Sequence, residues 1–375
     1  MTDLFEAEPT STTSLDMRRL QRRKRRATRR KFTLVATAIG LVVLALGGSV
    51  AYNFFASLSS GSAAVEDYEG TGQGTVQVVI SSGDTGAQIA QTLYDAGVVA
   101  STAAFIQAYN DNPDSASIQA GYYFMHREMS ASAAVLQLLD PDYRDLRTIT
   151  VVEGKTLDTY YQKIADLTDY TKEEVEEAAQ DTEALGLPEE ADGNLEGWLF
   201  PSTYSFNPGV TPTDVLAKMV STTVDVLERN GVAEENWEEI LTVASLVERE
   251  ARLDKDRPLI AGVIYNRLAI DMPLQLDSTI HYFAPSDSVF TDEDDRAVDN
   301  PYNTYLYAGL PPGPIAGPGE ASIQAAVSPA ENDYLYFVTV NLTTGKTKYA
   351  ETYEEHLQNV AQLQQWYAKN SDSSD

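Results

Sequence analysis

Residues 234–252 read EENWEEILTVASLVEREAR, and the spacing of their apolar side chains decides how the rest of the chain is read. Trp237, Leu241, Ala244 and Ala251 all fall within about 60° of Glu248 on a helical wheel of 3.6 residues per turn. The stretch therefore predicts a long helix carrying one carboxyl group on its apolar face. A carboxyl group on such a face loses water, which favours its protonated form. A proton held at neutral pH is what a general acid needs. The plainer reading, which periodicity alone favours, puts Glu248 at the edge of the stripe in a salt bridge to Arg249, Arg252 or Arg267. Glu250 projects toward Glu239, Val243 and Leu246, away from Glu248, and reads as structural or as a neighbour of an arginine.

Downstream, residues 258–269 (PLIAGVIYNRLA) predict another helix, with Pro258 suited to its first turn. The chain then becomes rich in Pro and Gly and carries polar groups with no evident structural need: Tyr265, Asn266, Arg267, Gln275, Asp277, Ser278, Thr279, Asn303, Thr304 and Tyr305. For Asn266 and Arg267, near a helix end, capping is the simpler role. Residues 310–315 (LPPGPI) hold too much proline for a central strand and predict a rigid loop of the kind that frames a cleft. Residues 334–338 and 346–349 predict a hairpin around Gly345, and residues 353–369 a last helix.

Upstream, residues 147–152 (RTITVV) predict a strand, residues 157–168, 171–180 and 212–230 helices, and residues 194–206 (NLEGWLFPSTYSF) an aromatic segment interrupted by Pro201. Before these lies a smaller unit. Val76, Val78 and Ile80 alternate as in a strand; residues 87–98, with Gly97 near the stop, and residues 102–110 predict helices; residues 121–125 return as a strand and residues 131–139 form a short helix. That order suits either a small glycan-binding module or a generic α+β spacer.

Residues 32–55 hold no charge and are long enough to span a bilayer, with Tyr52, Phe54 and Phe55 at one end and ten Lys and Arg in residues 18–31 at the other. This predicts a single-pass membrane anchor with a cytoplasmic N-terminus and residues 56–375 outside. A cleaved signal peptide, with Ser49-Val50-Ala51 as its cleavage site, is the alternative. The formal net charge is −29, and the part after residue 56 holds 17 basic against 52 acidic residues, so nucleic acid is not an expected partner. The chain has no cysteine and three widely spaced histidines, so neither a thiol nucleophile nor a metal centre is expected, and no cofactor. It has 21 Tyr, 3 Trp and 11 Phe; rings beside amides and carboxylates suit sugars, although most aromatics serve a core.

Five segments in order carry a family resemblance: 195–204 (LEGWLFPSTY), 243–250 (VASLVERE), 260–268 (IAGVIYNRL), 272–280 (MPLQLDSTI) and 303–315 (NTYLYAGLPPGPI). Together they resemble the YceG-like (MltG-like) endolytic murein transglycosylases over about residues 75–370. Departures fall at Ser202, Leu276, Ser278 and Gly317, where the family often has Asp, Thr or Ser, Pro, and a polar residue such as Asn. They bear on subsite detail, not on the reaction.

The resemblance implies an α+β protein: a basic tail (1–31), one transmembrane helix (32–55), a flexible tether (56–74), a LysM-like βααβ module (75–145), a larger mixed α+β catalytic domain (146–370) and a short disordered tail (371–375). It implies Glu248 as the sole acid/base, with Asn266, Gln275, Asp277, Asn303 and Tyr305 around the cleft. It implies cleavage of peptidoglycan glycan strands between N-acetylmuramic acid and N-acetylglucosamine, with 1,6-anhydromuramoyl ends as products, on nascent strands near the membrane and beside cell-wall synthases. Two other readings stand beside it: a non-enzymatic wall-binding scaffold, and a muramidase using water with Asp277 as second carboxylate.

Overall fold

A computed structural model describes residues 65–285 and 291–370. The expected anchor (32–55), the basic tail before it and the tail after residue 370 lie outside the described residues. Among the described residues no helix is long and apolar enough to cross a membrane. The architecture is mixed α+β with three separate two-stranded antiparallel sheets, among the described residues, and helices between them.

The first sheet pairs β1 (Thr71–Ile80) with β2 (Gly121–Met129), and between them run α1 (Gly86–Asp95) and α2 (Thr102–Asp111); α3 (Ala131–Leu139) follows. Val78 and Ile80 face inward and Val79 outward, as the alternation predicts. A capping box between Thr85 and Gln88 starts α1, and Ser101 and Ser130 cap α2 and α3, each satisfying an orphan amide at about 1 kcal/mol. These elements close on their own core of Leu93, Phe105, Tyr123, Met125 and Leu138. β1 begins at Thr71, inside the stretch expected to be tether. Gly72 sits at φ 73° with the Arg127 carbonyl only 2.2 Å from where a Cβ would lie, so glycine here permits pairing instead of preventing it.

The larger part starts with β3 (Arg147–Thr150), then α4 (Leu157–Leu167), α5 (Lys172–Ala178), the short α6 (Thr182–Leu185) and β4 (Thr203–Phe206), which pairs with β3. β4 is the end of the aromatic segment; Pro201 precedes it instead of excluding it. Next come α7 (Pro212–Arg229), α8 (Trp237–Glu250) and α9 (Arg257–Ala269). The stretch expected to be loop contains α10 (Asp277–Phe283), α11 (Glu293–Arg296) and α12 (Glu320–Val327). β5 (Tyr336–Asn341) and β6 (Lys346–Ala350) form the expected hairpin, and α13 (Tyr353–Asn370) ends the described chain.

α8 is the axis of this part. Leu241, Val243, Ala244, Leu246 and Val247 are buried around nearly its whole circumference, packed with Trp198, Ile260, Ile264, Leu274 and Ile323. A helix apolar on all sides is one surrounded by other elements. Ser245 accepts the amide of Ile315 at 3.0 Å, so the rigid 310–315 loop is fastened to the middle of α8. On its other side that loop meets the 194–198 turn. A Cβ on Gly197, at φ 82°, would lie 2.4 Å from Pro314, so only glycine allows the approach.

Candidate active site

The last turn of α8 carries Glu248, Arg249 and Glu250, and its two carboxyl groups meet different surroundings. Glu248 lies on the buried face, as the wheel predicts, with its side chain 8% exposed. One of its oxygens, Oε2, accepts from the Gly319 amide at 3.1 Å, the Ser322 hydroxyl at 2.8 Å and the Arg257 guanidinium at 3.0 Å. Arg257 opens α9, and Gly319 and Ser322 open α12, so Glu248 fastens three helices together. The arginine is not one of the three weighed from sequence: Arg249 donates to the Gly154 carbonyl, Arg252 to the Leu342 carbonyl, and Arg267 to the carbonyls of Leu335 and Leu274.

Glu250 points toward α10. Burial, the largest influence, raises the pKa of its carboxyl group; the Ser278 hydroxyl works against this, the Asp277 charge adds to it, and the Ser278 amide and Arg249 oppose it. The Ser278 hydroxyl is buried and closes no well-formed hydrogen bond. The surroundings of Glu250 therefore favour the protonated form of its carboxyl group. The expectation from sequence gave the cleft to Glu248 and a structural place to Glu250; the structure surrounds the Glu248 oxygen with donors and turns Glu250 toward α10.

Asp277 stands at the first position of α10. Its Oδ1 accepts from Tyr305 at 2.5 Å, Thr291 at 2.6 Å and Arg296 at 3.5 Å, and Arg296 lies over the Tyr305 ring, 4.9 Å from its centroid. Asp277 and Tyr305 are thus brought together beside Glu250, with Asp277 already supplied with donors. The Asp277 carboxylate and the burial of the phenol hold Tyr305 neutral.

Gln275 has an exposed side chain on a left-handed backbone, φ 47°, a conformation that costs a non-glycine residue about 1 kcal/mol or more. Its loop is held by the Gln275 amide to the Thr304 carbonyl at 3.0 Å and the Leu276 amide to the Thr304 hydroxyl at 3.0 Å.

Two residues expected around the cleft bond backbone carbonyls. Asn266 donates to the carbonyls of Asn332 at 2.8 Å and Tyr334 at 2.9 Å, fixing the approach to β5. Asn303 is 0% exposed; its amide group donates to the carbonyls of Arg296 at 3.0 Å and Val298 at 2.8 Å, and its oxygen accepts from the Tyr305 amide at 3.0 Å. Asn303 thus fixes the backbones of Arg296 and Tyr305, both of which reach Asp277.

Glu196, inside the LEGW turn, was not singled out from sequence. It is 3% exposed, and its Oε2 accepts from the Leu157 amide at 3.3 Å. Burial pushes its pKa up to about 7, against the Leu157 amide, the Tyr282 hydroxyl, the Gly197 amide and the Arg249 charge. The only signal in the sequence was a glutamate between apolar residues Leu195 and Trp198.

The sequence pattern of the YceG-like family matches residues 78–362. The chain is 34% identical over 335 residues to an endolytic murein transglycosylase of Bacillus subtilis, covering 84% of this chain and 89% of that protein. It is 32% identical over 371 residues to one of Streptococcus pneumoniae, covering 88% of this chain and 65% of that protein. Among solved structures, the crystal structure of a YceG-like protein from Listeria monocytogenes superposes with a TM-score of 0.51 at 30% identity, over 76% of this chain and 98% of that one.

Proposed function

This chain belongs to the YceG-like family, and on that premise we propose that Glu250 is the acid and base of its reaction. The reaction itself is endolytic: the protein is a lytic transglycosylase, a lyase that cuts peptidoglycan glycan strands. The observation that carries the assignment is the contrast at the end of α8. The Oε2 of Glu248 is filled by three donors, one of them a guanidinium, whereas burial raises the pKa of Glu250, which faces Ser278 and Asp277 at the start of α10.

A protonated Glu250 donates to the glycosidic oxygen between N-acetylmuramic acid and N-acetylglucosamine, and the bond to the muramoyl C1 breaks. The positive charge developing at C1 is met by the substrate's own N-acetyl oxygen. The Glu250 carboxylate then takes the proton of the muramoyl C6 hydroxyl as that oxygen closes on C1. The product is a 1,6-anhydro ring, no water is consumed, and the proton returns to Glu250. One carboxyl group suffices, in contrast to hydrolases with two. The Oδ1 of Asp277 is engaged by Tyr305, Thr291 and Arg296, which suits a supporting part for this residue.

The test is mass spectrometry of the ends produced from uncrosslinked glycan strands by the full-length protein, Glu250→Gln and Glu248→Gln. Anhydro ends from wild type and Glu248→Gln, and none from Glu250→Gln, are expected. Activity retained by Glu250→Gln and lost in a folded Glu248→Gln would return the role to Glu248. Reducing ends would mean a muramidase using water, and binding without cleavage a scaffold.

We propose further that residues 75–145 are a LysM-like glycan-binding module, supported by the β–α–α–β order and the antiparallel pairing of β1 with β2. Residues 32–55 are proposed as a single-pass anchor in the cell membrane, with the N-terminus cytoplasmic and the enzyme outside, supported by their uncharged length and the basic block before them. An anchor and a tether would keep cleavage on nascent strands, close to cell-wall synthases.

A further inference from the structure

The sheet of β3 and β4 has only two strands, so each leaves one edge unpaired. The register fixes which residues of β3 face that edge. The Val151 amide donates to the Ser202 carbonyl at 3.0 Å, in line with a pairing that sets Ile149 opposite Tyr204 and Arg147 opposite Phe206. Backbone bonds of an antiparallel pair fall on alternate residues, so the amides and carbonyls of Thr148 and Thr150 point away from β4. No other backbone group among the described residues takes them. A cleft of about 480 Å³ opens here, lined by the four residues of β3 on one side and by Lys163, Asp166 and Leu167 of α4 on the other. No residue of β4 lines it, so it lies along the open edge.

The cleft also carries positive charge. Inside the protein Arg147 donates through Nη1 alone, to the Leu167 carbonyl at 3.0 Å and to the exposed Asp169 at 3.4 Å. Its Nε and Nη2 remain, and these two form the side of a guanidinium that grips a carboxylate with parallel bonds. Lys163 enters none of the salt bridges of the described residues. Asp166, the one acid of the lining, accepts from Gln162 at 2.9 Å. Two of the few basic residues of a strongly acidic chain therefore share one cleft.

β3 leads from this cleft to the end of α8. Four residues beyond Thr150, the Gly154 carbonyl accepts from Arg249 at 3.1 Å, and a Cβ on Gly154 would lie 3.7 Å from Cγ of Glu248. Four residues span at most about 14 Å. Resting on the reading of the protein as a lyase that cuts peptidoglycan, we propose that the cleft binds the peptide branch of the glycan strand as an extended acidic peptide added to the open edge of β3. Each muramic acid of that polymer carries a short peptide on its lactyl carboxyl group, and a peptide not yet crosslinked ends in a free carboxylate. Its backbone takes the open amides and carbonyls of Thr148 and Thr150, the strand-addition mode of peptide recognition. Arg147 and Lys163 take its carboxylates. About five extended residues reach roughly 17 Å, enough to run from a muramic acid at the end of α8 into the cleft. A crosslink turns the terminal carboxylate of one peptide into an amide, so the cleft favours strands not yet crosslinked.

The experiment compares uncrosslinked glycan strands that keep their peptides with the same strands stripped by an amidase that cuts at the lactyl carboxyl group. Full-length wild type, Lys163→Glu and Lys163→Arg are measured on both. Wild type should show a KM about tenfold lower for the peptide-bearing strands, the size of one charged hydrogen bond. In Lys163→Glu that advantage should vanish, its KM for peptide-bearing strands rising to that for stripped strands, while Lys163→Arg keeps the charge and the advantage. Equal KM of wild type for the two substrates overturns the proposal. So does a Lys163→Glu that keeps the wild-type ratio, even if both values rise together as a merely structural role would make them. Where Lys163→Glu does not fold, Lys163→Gln, which removes the charge alone, takes its place. Binding is read without cleavage by titrating a free pentapeptide with a terminal carboxylate into the same proteins. Wild type should bind it at least about fivefold more tightly than Lys163→Glu, and equal affinities refute the cleft. Protein that binds the peptide in this way but cuts neither strand refutes the lyase reading alone. Protein that cuts both strands alike and binds no peptide refutes the cleft alone.

Discussion

Glu248 and Glu250 stand two residues apart on one helix, yet their carboxyl groups meet opposite surroundings, and the proposed reagent is the one without a cation. Glu248 points into the seam of α8, α9 and α12, where a guanidinium, a hydroxyl and an amide converge on one oxygen. Glu250 points to the start of α10, where its nearest partners are a serine that closes no hydrogen bond and an aspartate supplied by others. Burial is common to both, so burial does not identify a catalytic carboxyl group. What separates them is whether the buried oxygen already has its donors. A group surrounded by donors has little left to give a substrate.

The sharpest way to break this comparison is Glu250→Gln. Its kcat should fall by at least about a thousandfold, near the upper range for loss of a general acid, with the melting temperature unchanged within a few degrees. Release of new anhydro ends and a thermal melt on the same sample check it together.

The complementary change lies on the other side of the helix. Arg257→Met leaves the Glu248 carboxylate buried without its cation and should cost about 3 to 5 kcal/mol in chemical denaturation. Glu248→Gln keeps an acceptor and should cost less, and the molecules that fold should cut strands at close to the wild-type kcat. A Glu248→Gln that is as stable as wild type would show that the seam is not what holds this residue.

A third change reads stability against pH. Glu196 and Glu238, whose carboxyl accepts from the Trp198 indole at 2.8 Å, both have pKa values raised by burial to about 7 from about 4.5. Each binds its proton more tightly in the folded chain than in the unfolded one. Their contribution is therefore fully present below about pH 4.5 and is lost as pH rises through about 7. For Glu196 the difference amounts to about 3 kcal/mol. Glu196→Gln should flatten the fall in melting temperature between pH 5 and pH 8, and a slope as steep as that of wild type would contradict it.

The smallest effect is expected from Tyr305→Phe. It removes one donor from Asp277 and leaves Thr291 and Arg296 in place, so kcat/KM should fall only severalfold, about 1 kcal/mol. A loss as deep as that of Glu250→Gln would mean that Tyr305 touches the reacting atoms.

These contrasts also show what the sequence carries and what it does not. The long helices were legible because each buries one face: residues 212–230 and 258–269 were expected as helices and appear as Pro212–Arg229 and Arg257–Ala269. α10 and α12 were not, since a seven- and an eight-residue helix between proline- and glycine-rich turns show too few periods. Those two unseen helices supply the partners that sort Glu248 from Glu250. The wheel placed Glu248 on the buried face correctly, but no wheel says what packs opposite. Asn266 and Asn303 were expected around the cleft, and the sequence did not show that their amides bond backbone carbonyls, because the convergence of those carbonyls is a property of the folded chain.

One pair of backbone contacts has a bearing on the order of events in the life of the chain. The Gly154 amide donates to the Gly317 carbonyl at 2.9 Å, and the Gly317 amide returns to the Lys155 carbonyl at 2.9 Å. They join the two ends of a long stretch, and closing so large a loop costs entropy before any contact is gained. The β1–β2 unit has a core of its own, while the seam that fastens Glu248 at the end of α8 needs residues as late as Ser322. The end of α8 that carries both glutamates is therefore fastened only when residues 317–322 are in place, far along the chain from the helix they hold.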